Sequence, residues 1–327
     1  MKKTVCSLFV LFALCLADFA PAQEGGGTQA AESGIPADRG IVLIGKGKLL
    51  LVPELTYAHI SANRLEITGF TVLPAIIIGV IQVEKIKRDV FIPSVTLKYG
   101  ISDRAQFDLR IPYFIRKDEF ITGAGPAMEK NTTDETAFGD IEGLLSLHAV
   151  REKESVPDVV ATVKVKSRTG KAPYGLATKT IQSGAAQIPT ELSTGSGHWA
   201  VEPGISLLKT VDPAVLFGSV SYFRHMKRSI NGVGVVDPGD SVNYTLGMGY
   251  ALNDRITLGT AFEQNFFSSA VIDGVKQVET DITVANLLFG VSYYMSGKKS
   301  LSFTLSIGLT PESPDLQVSL KMPVGIL

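Results

Sequence analysis

Residues 106–115 read QFDLRIPYFI; polar and apolar side chains alternate one by one over residues 106–111, and the apolar set continues with Tyr113 and Ile115. The apolar set begins at Phe107, while the other set begins with Gln106, Asp108 and Arg110. Successive side chains of a β-strand point to opposite faces of the sheet, whereas a helix repeats its apolar residues every three or four positions. A period of two therefore predicts a β-strand with one apolar face and one polar face.

The same period recurs in distant parts of the chain, at 158–166 (DVVATVKVK), 301–309 (LSFTLSIGL) and 316–322 (LQVSLKM). Hydrophobic residues make up 45% of the 327 residues and charged residues 19%, with a net charge of −1. This balance argues against disorder, coiled coils and helical bundles, and it offers no basic surface for nucleic acid. We therefore predict an all-β protein without a nucleic-acid partner.

The first 22 residues predict a secretory signal peptide rather than part of the fold. A charged start (MKK), an apolar run over residues 5–17 and small residues at 20–22 (APA) form the expected pattern. Both cysteines, Cys6 and Cys15, lie in this segment, so we expect no disulfide and no cysteine site in the mature chain. Residues 23–47 predict a flexible N-terminal lead-in, which leaves residues 48–327 for the folded domain.

The connections between predicted strands alternate between short turns and long polar loops. Turns fall at 100–104, 151–156, 211–213, 253–254 and 296–299, and loops at 117–136, 169–197, 229–239 and 268–280. Periplasmic turns and longer extracellular loops are typical of outer-membrane barrels. A soluble β-sandwich would also alternate, but the strands are too many for one simple sandwich and their apolar faces carry almost no charge. The pattern predicts a transmembrane antiparallel β-barrel in the bacterial outer membrane.

Strand parity limits the size of this barrel. Ten strands are predicted after the turn at 100–104, and the strand before it, at about 90–99, must run towards the periplasm. With a periplasmic N-terminus, an odd number of strands precedes that one. Three strands, at 49–58, 64–72 and 75–86, give about fourteen in total. A single preceding strand gives twelve, which is the alternative.

Polar side chains on the inner face are the candidates for lining a pore. Folding the chain about the turn at 151–156 brings Glu142 level with Lys164 and Lys166. The same folding places Asp140 level with Ser167 and close to Lys166 and Arg168. Such opposed charges form either a constriction that discriminates polar solutes or a structural ion-pair ladder worth ~0.2–1 kcal/mol per pair. The sequence leaves both interpretations open. The further pore-lining candidates are Asp108, Arg110, Glu202 and Glu263.

The sequence shows no pattern for catalysis, cofactor binding or metal binding. Its histidines, His59, His148, His198 and His225, lie on four different segments, and no Ser-His-Asp order or HExxH motif is present. A serine near a histidine in a glycine-rich loop, as at 193–198, is common by chance. We therefore expect no enzymatic activity, no cofactor and no metal.

Three stretches resemble a family of bacterial outer-membrane proteins, the transporters of the phenol-degradation meta-pathway. They are 64–89 (RLEITGFTVLPAIIIGVIQVEKIKRD), 138–142 (FGDIE) and 195–201 (GSGHWAV), and the resemblance extends over about residues 40–327. It implies a β-barrel and uptake of small aromatic compounds, and it assigns no role to any residue. The chain departs from many barrels at its end, PVGIL at 323–327, which lacks the terminal aromatic residue used as an assembly signal.

Together these observations predict an outer-membrane channel or transporter for small molecules, in particular aromatic or hydrophobic compounds. The alternative is a non-transporting structural barrel that anchors a surface or periplasmic partner. The expected partners are outer-membrane lipid, a small-molecule solute and the outer-membrane assembly machinery.

Overall fold

The computed structural model describes residues 43–62, 85–122, 129–181, 186–278, 280–295 and 299–326. Within these ranges, no helix has the length and apolar character needed to cross a membrane. The strands are β1 (Leu49–Ala62), β2 (Lys85–Ser102), β3 (Ala105–Thr122), β4 (Glu129–Phe138), β5 (Glu142–Val150), β6 (Asp158–Lys166), β7 (Thr178–Ile181), β8 (Ala186–Pro189), β9 (Ala200–Val211), β10 (Ala214–His225), β11 (Arg228–Ile230), β12 (Gly234–Asp237), β13 (Ser241–Ala251), β14 (Ile256–Phe267), β15 (Val271–Ile272), β16 (Val275–Lys276), β17 (Ile282–Tyr294), β18 (Ser300–Gly308), β19 (Leu316–Lys321) and β20 (Val324–Gly325). The predicted signal peptide and residues 23–42 of the predicted lead-in lie outside the described residues.

Twelve of the described strands close into an antiparallel barrel, in the chain order β1, β2, β3, β5, β6, β9, β10, β13, β14, β17, β18 and β19. The barrel closes between β1 and β19, where Glu54 lies opposite Lys321 and His59 lies opposite Leu316. Two further segments bring this sheet to fourteen strands: β4 continues β5 along β3, and β20 continues β19 along β1. The predicted antiparallel barrel is confirmed, and the closed wall has the alternative count of twelve.

The wall has twelve strands because β1 pairs directly with β2 along its whole length. The register extends from Leu49 opposite Tyr99 to Ala62 opposite Ile86. This pairing leaves no position between β1 and β2 for the two further strands predicted at 64–72 and 75–86. Apart from Lys85 and Ile86, which belong to β2, those predicted strands lie outside the described residues. Residues with a strand-like pattern need not join the barrel wall where the two neighbouring strands already form their backbone hydrogen bonds with each other.

The two ends of the barrel differ as the sequence predicts. The turns β2–β3, β5–β6, β9–β10, β13–β14 and β17–β18 lie at one end, here called the short-turn end. The longer connections lie at the other end, the long-loop end, where they form a β7–β8 hairpin and a four-stranded sheet of β11, β12, β15 and β16. The half of β3 nearer the long-loop end pairs with β4, and the half nearer the short-turn end pairs with β5. Residues 139–141, between β4 and β5, are not part of a strand and interrupt the wall.

Polar and apolar side chains are distributed in the reverse of a soluble protein. Large apolar side chains of the outer face are exposed, among them Leu97, Leu145, Ile205, Val220, Leu246 and Phe289. Polar side chains of the inner face, such as Gln106, Ser146 and Thr245, are almost fully buried. Exposed tyrosines occupy the outer face near both ends, Tyr99, Tyr250 and Tyr293 at one end and Tyr57 and Tyr222 at the other. Lipid around the outside and polar groups inside explain this distribution.

Candidate functional site in the barrel lumen

The inner face of the barrel surrounds a cavity of about 430 Å³, lined by hydroxyl, amide and charged side chains together with apolar ones. Strands β9, β10, β13, β14 and β17 supply much of its wall. Of the sequence-predicted candidates, Lys164, Glu202 and Glu263 line this cavity. Such a space within a closed wall is the feature through which a solute could interact with the protein.

The wall formed by β10, β13, β14 and β17 is layered. Strand register places Phe223, Ser241, Phe267 and Ile282 side by side near the long-loop end, and we call this row the upper apolar band. Nearer the short-turn end, register aligns Phe217, Gly247, Ala261 and Leu288, and Leu208 packs with them to form the lower apolar band. A Cβ atom at Gly247 would collide with the Phe217 ring and lie 2.7 Å from the Ala261 Cβ. Glycine at this position thus lets the ring lie flat across the lower band.

Two rows of polar side chains lie between these bands. The upper row contains Ser221, Asn243 and Asn265, and the lower row contains Ser219, Thr245, Glu263 and Asn286. We call the two rows together the polar band. On β17 only Asn286 belongs to it, because the neighbouring inward position is Val284. A solute that moves along this wall therefore meets apolar, hydrogen-bonding and again apolar surface.

Charged side chains occupy the opposite part of the lumen, in a sequence of alternating sign that we call the charged ribbon. Lys321 lies 3.3 Å from Glu54, and Arg110 lies 3.8 Å from Glu54 and 3.6 Å from Glu142. Farther along, Lys164 forms an ion pair with Glu202. Each of these charges has a counter-ion on a nearby strand, so the ribbon compensates its own charge.

Hydrogen bonds attach the charged ribbon to the polar band. Glu202 Oε1 accepts hydrogen bonds from Ser221 Oγ at 2.5 Å and from Asn243 Nδ2 at 3.2 Å. The ammonium of Lys164 also lies 5.7 Å from the centroid of the Phe223 ring, within the range of a cation–π interaction. Lys164 and Glu202 therefore stand where charged, polar and apolar lumen surfaces meet.

The remaining candidates lie on the inner face in other ion pairs. Asp108 lies 3.6 Å from Lys98, and Asp140 lies 2.8 Å from Lys166. The register places Glu142 opposite Lys166, one position from the alignment expected between β5 and β6. Glu142 and Lys164 therefore do not form an ion pair with each other. Glu142 pairs with Arg110 of β3, and Lys164 pairs with Glu202 of β9.

The connection between β6 and β9 folds inwards at the long-loop end, and we call its described residues, 167–181 and 186–199, the inward loop. Its residues 192–198 are buried. Asp140 binds it through Oδ1, which accepts a hydrogen bond from Gly170 N at 3.0 Å, and through Oδ2, which accepts from Ser196 N at 2.8 Å and Ser196 Oγ at 2.9 Å. Lys166 also donates to Ser196 Oγ. One carboxylate thus connects the interrupted wall, strand β6 and the inward loop.

A second set of contacts fixes the inward loop to β2 and β3. Arg116 Nη1 donates to the carbonyl of Ser193 at 2.8 Å, while its Nη2 lies 2.7 Å from Asp118 Oδ2. Arg88 pairs with the same carboxylate at 2.9 Å. Apolar packing accompanies these bonds, since Leu192 and Ile188 of the loop form a buried cluster with Ile86 and Phe120. The inward loop is therefore held by both polar and apolar contacts.

His198 links the inward loop to the start of the β10–β13 connection. The carbonyl of Met226 can only accept, so His198 Nδ1 donates to it at 2.9 Å, and the hydroxyl of Tyr174 donates to Nε2 at 2.7 Å. The bond from Tyr174 requires the neutral imidazole, because Nε2 accepts it, whereas Nδ1 can donate to Met226 in either protonation state. Burial lowers the pKa of His198, with the Met226 carbonyl opposing and Arg228 reinforcing that change, and burial raises the pKa of Tyr174.

Several lumen residues were missed by the reasoning from sequence. The alternation in β1 places Glu54 in phase with Val52 and Thr56, and Lys321 is in phase with Ser319, so period two could have identified both charges. Asn286 belongs to a strand with a less regular pattern. The burial of residues 192–198 has no sequence signal, because serine, glycine and threonine are equally suited to an exposed loop.

No family model matches the chain. A solved structure, the COG4313 outer membrane channel from Pseudomonas putida F1, matches 88% of this chain and 98% of that chain with a TM-score of 0.61 and 15% sequence identity. The fold is that of an outer-membrane channel. The CymD monoaromatic hydrocarbon channel is similar over 86% of this chain and 88% of that chain, with a TM-score of 0.44 and 12% identity.

Proposed function

We propose that the protein is a bacterial outer-membrane channel that passes small molecules through its lumen. The observation that carries this proposal is the closed barrel with apolar side chains exposed outside and a cavity of about 430 Å³ inside, lined by polar, charged and apolar side chains. Outer-membrane lipid would surround the apolar face, and the assembly machinery of that membrane would insert it. The fold shared with a solved outer-membrane channel supports the same location.

The candidate solutes are small aromatic or other hydrophobic compounds. This preference comes from the sequence resemblance to transporters of the phenol-degradation meta-pathway. The upper apolar band supports it, because Phe223 and Phe267 line the cavity, and Phe217 of the lower apolar band is buried on the lumen side of the wall. A phenolic compound could contact these rings with its own ring and the polar band with its hydroxyl group.

The pore-lining candidates separate into two proposed roles. Lys164, Glu202 and Glu263 line the cavity and would contact the solute. Asp108, Arg110 and Glu142 belong to ion pairs of the inner wall, and Asp140 with Lys166 anchors the inward loop. Under this proposal the two interpretations of the wall charges apply to different residues. The charged ribbon, whose charges compensate one another, would stabilise the barrel, and the residues beside the cavity would affect the passage of solutes.

Reconstitution tests the channel proposal directly. The refolded full chain should show heat-shifted gel mobility, produce discrete conductance steps in planar bilayers and raise the entry of labelled phenolics above that of protein-free vesicles. A correctly folded barrel that passes neither ions nor phenolics would contradict transport.

That negative result would favour the second candidate function, a barrel that anchors a surface or periplasmic partner. The observation that favours it is the inward loop, whose buried residues 192–198 occupy the long-loop end of the lumen. A structural barrel would keep this loop fixed under all conditions, whereas a channel requires solute to pass beside it or to displace it.

A further inference from the structure

Asn265 lies on the inner face of β14 and presents a side-chain amide to the cavity. The residue is only partly buried, and among the described residues its amide forms no hydrogen bond. The asparagine opposite it on β13, Asn243, differs, because its amide donates to Glu202 and Ser221 and accepts from Ser241. Of these two neighbouring amides, that of Asn265 is the one available to a solute.

Apolar side chains border this amide. Phe267, two residues farther along β14, belongs to the upper apolar band with Phe223 and Ile282, and Val284 lies beside Asn265 on β17. All four apolar residues line the cavity. Residues on the same face of a strand lie roughly 7 Å apart when one residue separates them, which is close to the length of a benzene ring with one hydroxyl group. An apolar surface and one hydrogen-bonding group therefore face the cavity at the spacing of a single aromatic alcohol.

The amide determines which solutes this surface can hold. Water can satisfy Asn265 when the cavity holds no solute, and a solute that rests on the upper apolar band displaces that water. A hydrocarbon cannot replace the lost hydrogen bonds, whereas a hydroxyl group can donate to Oδ1 or accept from Nδ2. A site built to bind a hydroxyl group therefore rejects the analogue that lacks it.

We infer that Asn265 and the upper apolar band form a lumen binding site for uncharged monocyclic aromatic compounds that carry a hydroxyl group. The inference rests on the proposed channel function, because solutes reach the site through the lumen, and it narrows the solute class from aromatic or hydrophobic compounds to hydroxylated ones. Phe223, Phe267 and Ile282 contact the ring, and Asn265 binds the hydroxyl group. The cavity of about 430 Å³ is larger than the roughly 150 Å³ that suffices for a benzene molecule. Asn265 is thus the residue that distinguishes an aromatic alcohol from a hydrocarbon of the same size.

Ligand-observed fluorine NMR on the refolded full chain in detergent tests this site, with empty micelles as the background. The probes are 4-fluorophenol, which is uncharged at pH 7, and 4-fluorotoluene, in which a methyl group replaces the hydroxyl group. Asn265→Leu should weaken the binding of 4-fluorophenol about threefold to tenfold, the range for loss of one hydrogen bond, and should not weaken the binding of 4-fluorotoluene.

Gln317→Met is the matched control for this change. Gln317 also lines the cavity with an amide that forms no hydrogen bond among the described residues. Register places it between Ala58 and Ser306, away from the upper apolar band. Removal of this amide should therefore leave the affinities for both probes unchanged.

The outcomes separate this inference from the channel proposal. In a barrel that conducts potassium chloride, an unchanged affinity of Asn265→Leu for 4-fluorophenol, or equal weakening for both probes, would overturn the inference alone. The same loss of 4-fluorophenol binding in Gln317→Met would also overturn it, because the effect would not be specific to Asn265. Binding of 4-fluorophenol through Asn265 in a barrel without conductance would overturn the channel proposal and leave the site. If Asn265→Leu does not show the heat-shifted mobility of the folded barrel, Asn265→Ala provides the same comparison with a smaller side chain.

Discussion

The ammonium nitrogen of Lys166 lies 2.8 Å from Oδ2 of Asp140, at the point where β4 ends and β5 begins. Lys166 is fully buried and Asp140 nearly so. Beyond this pair the inward loop replaces strand pairing: Ser167 N donates to the Ile141 carbonyl at 2.8 Å, and Thr194 Oγ1 donates to the Phe138 carbonyl at 2.9 Å. The ion pair thus lies where the inward loop takes the place of a neighbouring strand in the barrel wall.

Asp140→Asn should release the inward loop. Removal of the carboxylate leaves the buried ammonium of Lys166 without its counter-ion, which typically costs about 3–5 kcal/mol. We expect faster maleimide labelling of Ser193→Cys, a buried reporter position, and a higher single-channel conductance. Asp134→Asn, an exposed position on β4, is the matched control and should change neither quantity. Unaltered labelling in Asp140→Asn would show that the loop is held without this ion pair.

Lys164→Gln should increase the preference of the channel for cations. Glu202 keeps its hydrogen bonds to Ser221 and Asn243 but loses its counter-ion, so the lumen gains one net negative charge. A unit charge at ~4 Å in water interacts with a passing ion by about 1 kcal/mol, which corresponds to an about fivefold change in permeability ratio. Reversal potentials in a potassium chloride gradient measure that ratio. Lys209→Gln, at the short-turn end, should not alter it.

Acidification should loosen the inward loop through His198. Burial lowers the pKa of this histidine below its ordinary value of 6.5, so the loop favours the neutral ring. The unfolded form binds more protons in this range; the stabilisation is therefore complete above about pH 6.5 and decreases as the pH falls towards the lowered pKa of the folded form. Tyr174, Arg228, Lys166, Asp237 and His225 are titratable or charged groups that act on the ring.

The thermal midpoint of the heat-induced gel shift, measured from pH 7.5 to pH 4.5, tests this prediction. Wild type should lose stability over this range. His198→Gln, which cannot titrate, should lose less, with a smaller slope against pH. Parallel curves for the two proteins would assign the pH dependence to other groups.

Phe217→Ala should widen the lower apolar band and raise conductance. The ring is buried on the lumen side, over Gly247 and against Ala261 and Leu288. Its removal opens space that water and ions can enter. Phe289→Ala removes the same ring from the exposed outer face and should leave single-channel conductance as in wild type. Equal effects of both changes would indicate a general loss of barrel stability rather than a constriction at Phe217.

The fold was predictable because a membrane barrel imposes one simple rule on each strand. Period two assigned the faces of Asp108, Arg110, Lys164 and Lys166, since side chains alternate between lipid and lumen. The number of strands was harder to predict. It depended on whether residues between β1 and β2 enter the wall, and that choice depends on hydrogen bonds between strand edges rather than on composition.

The pairing of the lumen charges could not be read from the same pattern. Alternation indicates the face of Glu142 but not its height relative to Lys164, which depends on register to within one residue. The inward loop was beyond prediction for another reason. Its buried serine and glycine residues become favourable only because Asp140 and Arg116, distant in sequence, offer hydrogen bonds to them.

The closing contact between β1 and β19 also limits how the barrel can form during folding. The edge of β1 that faces β19 has no neighbour until residues 316–321 arrive, because Glu54 to His59 pair with that late segment. A sheet formed by the earlier strands would therefore have two unpaired edges, and each edge could pair with a wrong partner. Closure of the barrel must therefore wait for residues 316–321, and loss of this segment would leave an open sheet instead of a closed barrel.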